Sequence, residues 1–266
     1  MIDAHTHLNS PALFSNRKEY LLEFEKKWGT GLINVWADDD YNKNALVINR
    51  EYNGDCFVKC TIWFSPHEIL AGKIEYDNMD NKIKELKNLY LENKNHVVAL
   101  WEIGIDTHFD DWVSLELQKK LFKKQCDLAN ELKLPLVIHS RDDFDSTMEV
   151  LQNYQDLKIY FHCRGYGPEE IKKLQYSQLK NYWIWFCGNI TYPKAQNIKE
   201  SLMMCDIKNI LLETDAPYLS PQNLRWKTNY PANITYIYDF VAKMIGVSKD
   251  ELIEKINNNF KTLYQN

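Results

Sequence analysis

Eight short apolar runs recur along the chain, separated by amphipathic stretches, and this alternation restricts the fold more than any other feature. The runs are 2–8, 31–37, 57–64, 97–105, 134–140, 158–163, 182–187 and 209–214. They are rich in Val, Ile, Trp, Tyr and Phe. They are also continuous rather than alternating, which is the pattern of strands buried on both faces. Between them lie helical patterns. Leu115, Leu117, Leu121, Phe122, Cys126, Ala129 and Leu132 fall near helical spacing, with Lys and Glu on the flanks. Met148, Val150, Leu151 and Tyr154 form a shorter case, and Ile171 with Leu174 another. Pro168-Glu169-Glu170 marks a helix start, with Pro in the first turn and acids at the positive dipole end. Ser248-Lys249-Asp250-Glu251 reads as a capping box. Two helices are expected to close the chain, near 232–245 and 249–264.

Eight strand candidates, each followed by a helix, predict a TIM (β/α)8 barrel of the α/β class. The competing fold is an open doubly wound sheet. That fold ordinarily carries a glycine-rich phosphate turn after its first strand, and residues 4–11 contain no glycine. Low-complexity segments, long charge blocks and Pro/Gly-rich linkers are absent, so the chain reads as a single domain over 1–266. At 266 residues with 45% apolar content it is long enough to bury a sizeable core.

Charge and cysteine usage narrow the function classes. A formal net charge of −5 argues against binding nucleic acid through bulk electrostatics. A phosphate-bearing substrate stays compatible with it, because bound divalent cations reverse the local sign. The six cysteines are scattered and form no CxxC pair, which predicts free thiols in a reducing compartment. No stretch approaches the roughly 18 apolar residues of a membrane span. The first strand candidate lies at the very start of the sequence, leaving no room for a signal peptide. The expectation is a cytoplasmic protein with no membrane association and no obligate protein partner.

Six residues with metal-binding side chains sit at or near the C-terminal ends of predicted strands: His5, His7, Glu102, His139, His162 and Asp215. In a barrel those ends converge where such enzymes build their sites. His5 and His7 are two apart, so they point to the same side of their strand. A lone strand-end His is ordinarily a packed or surface residue, and His-x-His alone is a weak signal. All six together, in the order HxH, Glu, His, His, Asp, point to a centre for divalent metal.

These segments resemble the TatD-like metal-dependent deoxyribonucleases of the metal-dependent hydrolase superfamily, almost end to end. The resemblance is carried by Ile2-Asp3-Ala4-His5-Thr6-His7-Leu8, Trp101-Glu102-Ile103-Gly104-Ile105-Asp106 and Leu134-Pro135-Leu136-Val137-Ile138-His139-Ser140-Arg141-Asp142. It continues through Phe161-His162-Cys163 and Leu211-Leu212-Glu213-Thr214-Asp215-Ala216-Pro217-Tyr218-Leu219. Arg225, Lys227, Asn229 and Pro231 match a segment after the family's last strand. The resemblance implies two divalent ions, Zn, Mn or Mg. His5, His7 and Asp215 would hold one, His139 and His162 the other, with Glu102 bridging. It also implies a DNA substrate cleaved at phosphodiester bonds, as by an exonuclease, with Asp215 and Glu102 catalytic. Two alternatives stand beside it: a hydrolase of small-molecule or aminoacyl esters or lactones using the same ions, and a non-catalytic barrel.

Other residues are placed near the site by the same reading. Arg141, two residues after His139, is a candidate substrate contact or an ion-pair partner of Asp142 or Glu213. Arg164 stands where the family more often has an aromatic residue, and is either a phosphate contact or a loop cation. His67 lies two residues from Ser65, where the family usually has an additional His, and is a third candidate contact. Trp63 and Trp101 replace common glycines, as core filler or as a base-stacking surface. Asn9 takes the place of a common acid. His96 and His108 read as surface or loop residues, and the lysines of 82–94 as a solvated helix face.

Overall fold

The computed structural model describes residues 1–35, 39–62, 69, 72–108, 114–162 and 167–265, and the side chains of all of these except 39–42. Its eight strands are β1 (Ile2–Thr6), β2 (Gly31–Asn34), β3 (Phe57–Ile62), β4 (Val97–Asp106), β5 (Leu136–Arg141), β6 (Lys158–His162), β7 (Asn181–Phe186) and β8 (Ile210–Leu212). They form one sheet in sequence order, and every described pairing is parallel. With helices between strands, this is the TIM (β/α)8 barrel read from the sequence. Each apolar run is a strand, with ends shifted by a few residues. The expected helices are Leu115–Leu132, Phe144–Leu151, Pro168–Tyr176, Ile234–Ile245 and Lys249–Tyr264. Ser248 caps the last of them, its hydroxyl accepting from Glu251 N at 3.1 Å.

The chain packs as two compact units. The first comprises Met1–Cys60, Tyr166–Ile171 and Trp183–Asn266, and the second Thr61–Gly165 and Lys172–Tyr182. In the first unit, the helix Lys249–Tyr264 buries Leu252, Ile256, Phe260 and Leu263 along one face. Each such side chain contributes about 1.5–3 kcal/mol on burial, and Phe260 also meets the Phe57 ring edge-on. Tyr238, fully buried, accepts from Ile2 N (3.1 Å) and donates to Ile2 O (3.2 Å), which fixes the start of β1.

In the second unit, β4 is the longest strand. It pairs Leu100 with Leu136, then shifts register before Ile103↔Ile138, Gly104↔His139 and Asp106↔Arg141. Irregularities of this kind re-aim side chains near functional sites. Glycine is required at 104: its φ is 147°, and a Cβ there would lie 1.9 Å from His139 O. The next pairing sets His139 beside His162 on β6. Helix Leu115–Leu132 reaches β4 through buried Gln118. The Gln118 amide accepts from Asp106 N (2.9 Å) and donates to Asp106 O (3.0 Å). Among the described residues, no helix is long and apolar enough to cross a membrane. The described cysteines, Cys56, Cys60, Cys126, Cys187 and Cys205, are free thiols.

Candidate metal centre

In the first unit, His5, His7 and Asp215 converge. His5 Nε2 and His7 Nε2 are 3.1 Å apart, and each lies 3.4 Å from Asp215 Oδ1. Two backbone hydrogen bonds bring the segments together, Asp215 N to His5 O (3.1 Å) and His7 N to Ala216 O (2.7 Å). Beneath them lies the buried Asp3 carboxylate. It accepts from Thr214 N (2.8 Å) and Thr214 Oγ1 (2.6 Å), tying the residue before Asp215 to β1. Burial pushes the Asp3 carboxyl well above its usual range, with the Thr214 hydrogen bonds pulling the other way. Glu213 Oε2 lies 3.8 Å from His5 Nδ1, and both residues are fully buried. A carboxylate behind a ligating imidazole orients the ring and raises its basicity.

The donor set fits a divalent cation. Ligand atoms about 2.0–2.1 Å from a tetrahedral centre are about 3.3–3.4 Å apart, and octahedral neighbours about 3.0 Å. The observed edges of 3.1, 3.4 and 3.4 Å lie in that range. Two imidazoles and one carboxylate are the ligand types that Zn or Mn takes.

The loop after β8 is anchored by one buried side chain. Asn229 Nδ2 donates to Thr214 O (2.9 Å) and Tyr218 O (2.7 Å), while its Oδ1 accepts from Asn233 Nδ2 (3.0 Å) and Tyr230 N (3.1 Å). Tyr218, half-exposed, sets its ring edge-on to His7 with centroids 5.9 Å apart.

The second unit arranges Glu102, His139, Asp106 and His162. Both nitrogens of His139 meet carboxylates, Nδ1 with Glu102 Oε1 and Nε2 with Asp106 Oδ2 at 2.9 Å. Burial opposes charge on the ring, but Glu102 and Asp106 outweigh it and lift the His139 pKa to about 10. With a carboxylate at each nitrogen, the His139 ring is held toward its protonated form. For it to ligate, it must give up a proton and release a carboxylate. His162 closes β6 and packs edge-on against Trp101, with ring centroids 4.7 Å apart.

Sequence reasoning offered Glu213 only as a partner of Arg141 and gave no role to Asp106 or Asp3. Asp106 lies in the same segment as Glu102, four residues on, and its even spacing was the available signal. Glu102 itself lies within β4 rather than at its end. Arg141 ends β5, partly buried, its carbonyl accepting from Thr107 N (3.1 Å). The Asp142 carboxylate meets His108 Nδ1 at 2.7 Å. Trp101 is fully buried core rather than an open stacking surface. Arg164, His67 and Trp63 lie outside the described residues. Lys82 pairs with Glu85 at 2.7 Å on the exposed helix Met79–Asn93, the solvated face expected.

Residues 2–265 match the family model described as TatD related DNase. The chain belongs to this family. It is a metal-dependent hydrolase, as its relatives are named. An uncharacterized metal-dependent hydrolase of Mycoplasma genitalium is 29% identical over 98% of both chains. Another, from Bacillus subtilis, is 25% identical over 100% of this chain and 99% of its own. A solved TatD homologue from Escherichia coli has a TM-score of 0.86 at 22% identity, covering 100% of this chain and 98% of that one.

Proposed function

We propose that the protein is a phosphodiesterase acting on DNA. The convergence of His5, His7 and Asp215 to a triangle with edges of 3.1–3.4 Å carries the hydrolytic part of this reading. The family description supports DNA as the substrate. His5, His7 and Asp215 would hold one divalent ion, and Glu102, His139 and His162 would serve a second. Bound divalent ions supply a nucleophile at neutral pH, by lowering the pKa of water, and offset charge on the phosphoryl oxygens.

The chain's own groups do the rest. Asp215 accepts the proton of the attacking water as the new bond to phosphorus forms, then passes it to the departing sugar oxygen. Glu213 holds the His5 ring in the orientation that presents Nε2. Asp3 and Thr214 fix the backbone so that Asp215 does not drift from the histidines. Arg141, Arg164 and His67 are proposed substrate contacts.

The test is turnover of end-labelled single-stranded DNA with Mg²⁺, Mn²⁺ or Zn²⁺ in turn, with His5→Ala as the blank. A lactone and an aminoacyl ester run in parallel. Cleavage of DNA by the wild type but not by the blank is the expected result. Cleavage of only the carbonyl substrates would replace the phosphodiesterase reading with an ester or lactone hydrolase.

A further inference from the structure

Trp226 is the most exposed large apolar residue in the described chain, at 92%. Its backbone φ is 76°, a region that bulky residues rarely adopt. Its neighbour Arg225 is exposed as well. The Arg225 guanidinium lies over the Tyr192 ring, 4.2 Å from the centroid, and 5.3 Å from that of Trp226. Among the described residues, no carboxylate pairs with Arg225 and no acceptor takes a hydrogen bond from its guanidinium. A planar cation resting on rings with its N–H fork unused is arranged for phosphate. An exposed indole beside it offers a face to a base.

The position ties this cluster to the candidate centre. Arg225 and Trp226 lie on the loop that begins at Asp215, within the same unit. Asn229 returns that loop to Thr214 O at 2.9 Å. Three residues of chain span at most about 11 Å, so the Trp226 backbone lies no farther than that from the Asn229 backbone. Ser220 Oγ donates to Lys227 O (2.7 Å), and Tyr192 OH donates to Ser220 O (2.9 Å), closing the loop under the Tyr192 ring. Gly188 lets Leu219 approach, since a Cβ there would meet Leu219 O at 1.9 Å.

We infer that Trp226, Arg225 and Tyr192 form a binding platform for a nucleotide of a single strand, with Trp226 stacking on an unpaired base and Arg225 holding its phosphate. The inference rests on the phosphodiesterase reading above and adds the recognition element. Trp226 is a substrate-binding residue, acting on base rather than on the scissile bond. Duplex DNA, whose bases are already stacked, presents no free face to it.

The experiment compares one labelled oligodeoxynucleotide with the same strand made abasic at its terminal positions. The wild type is expected to discriminate by KM about tenfold in favour of the base-bearing strand. Trp226→Gly removes the ring and also relieves the positive φ. Discrimination should fall to about one, with Tm unchanged or higher, while Trp226→Phe keeps most of it. Unchanged discrimination in Trp226→Gly overturns the platform, and a lowered Tm with discrimination intact assigns Trp226 a structural role instead. If the wild type hydrolyses neither strand, the phosphodiesterase reading fails by itself. The platform is then judged by the ratio of Kd values of the same two strands for metal-free protein, read by fluorescence anisotropy. Equal Kd values for the wild type overturn it.

Discussion

The two candidate metal groups use the same side-chain types and reach opposite electrostatic arrangements. In the first unit, two imidazole Nε2 atoms face one carboxylate oxygen, with histidine meeting histidine at 3.1 Å. Two ring nitrogens and a carboxylate oxygen that close together are the donor side of a cation site. In the second, one imidazole is flanked by two carboxylates, which favour its protonated form. There the proton of His139 plays the part of the cation. The contrast shows that ligand identity alone does not define readiness: the first group is poised to take metal directly, and the second must exchange a proton for it.

The largest test of this contrast is Asp215→Asn, which removes the only acid of the first triangle. Hydrolysis should fall by about 10²–10⁴-fold while circular dichroism and Tm show an intact fold; near-normal turnover would remove Asp215 from the reaction. The supporting acids of the two groups can then be set against each other. Asp106→Asn and Glu213→Gln should each lower metal affinity or turnover by about 10–100-fold. Asp106→Asn should be the more severe, since it touches His139 at 2.9 Å where Glu213 lies 3.8 Å from His5. Metal titration by calorimetry reads the order directly.

Gln118→Leu isolates the backbone support of the second group. It strips both hydrogen bonds from the main chain of Asp106 and should cost about 1–3 kcal/mol, seen as a lower denaturation midpoint. A further test of the second group is pH dependence without metal. The folded pKa of His139 is raised to about 10, against about 6.5 in the unfolded chain. Its contribution to stability is thus fully present below about pH 6.5 and lost as pH rises through 10. Chelator-treated protein should lose stability across that window, and His139→Gln should flatten the profile. An equal slope in both proteins would show that His139 is not held as an imidazolium.

Much of this was legible in the residues because barrel strands are buried on both faces and leave continuous apolar runs. The spacing of His5 and His7 gave their common direction, and Ser248 with Glu251 gave a helix start that the hydroxyl cap bears out. What stayed hidden depends on register. The partnership of Asp106 with His139 requires the shift in β4 between Leu100 and Ile103, which no local pattern announces. Gln118 looks like any polar helix residue until its amide is seen against the end of β4. Trp226 was passed over because a positive φ at tryptophan contradicts its intrinsic preferences. Only tertiary context sets that backbone.

Asn229 carries one more consequence. By gripping Thr214 O and Tyr218 O together, it makes the rest of the loop a closed excursion whose base is independent of its tip. Residues between Leu219 and Thr228 can then change in length or composition without displacing Asp215. The architecture separates a loop tip that can vary from the strand end that holds Asp215 in place.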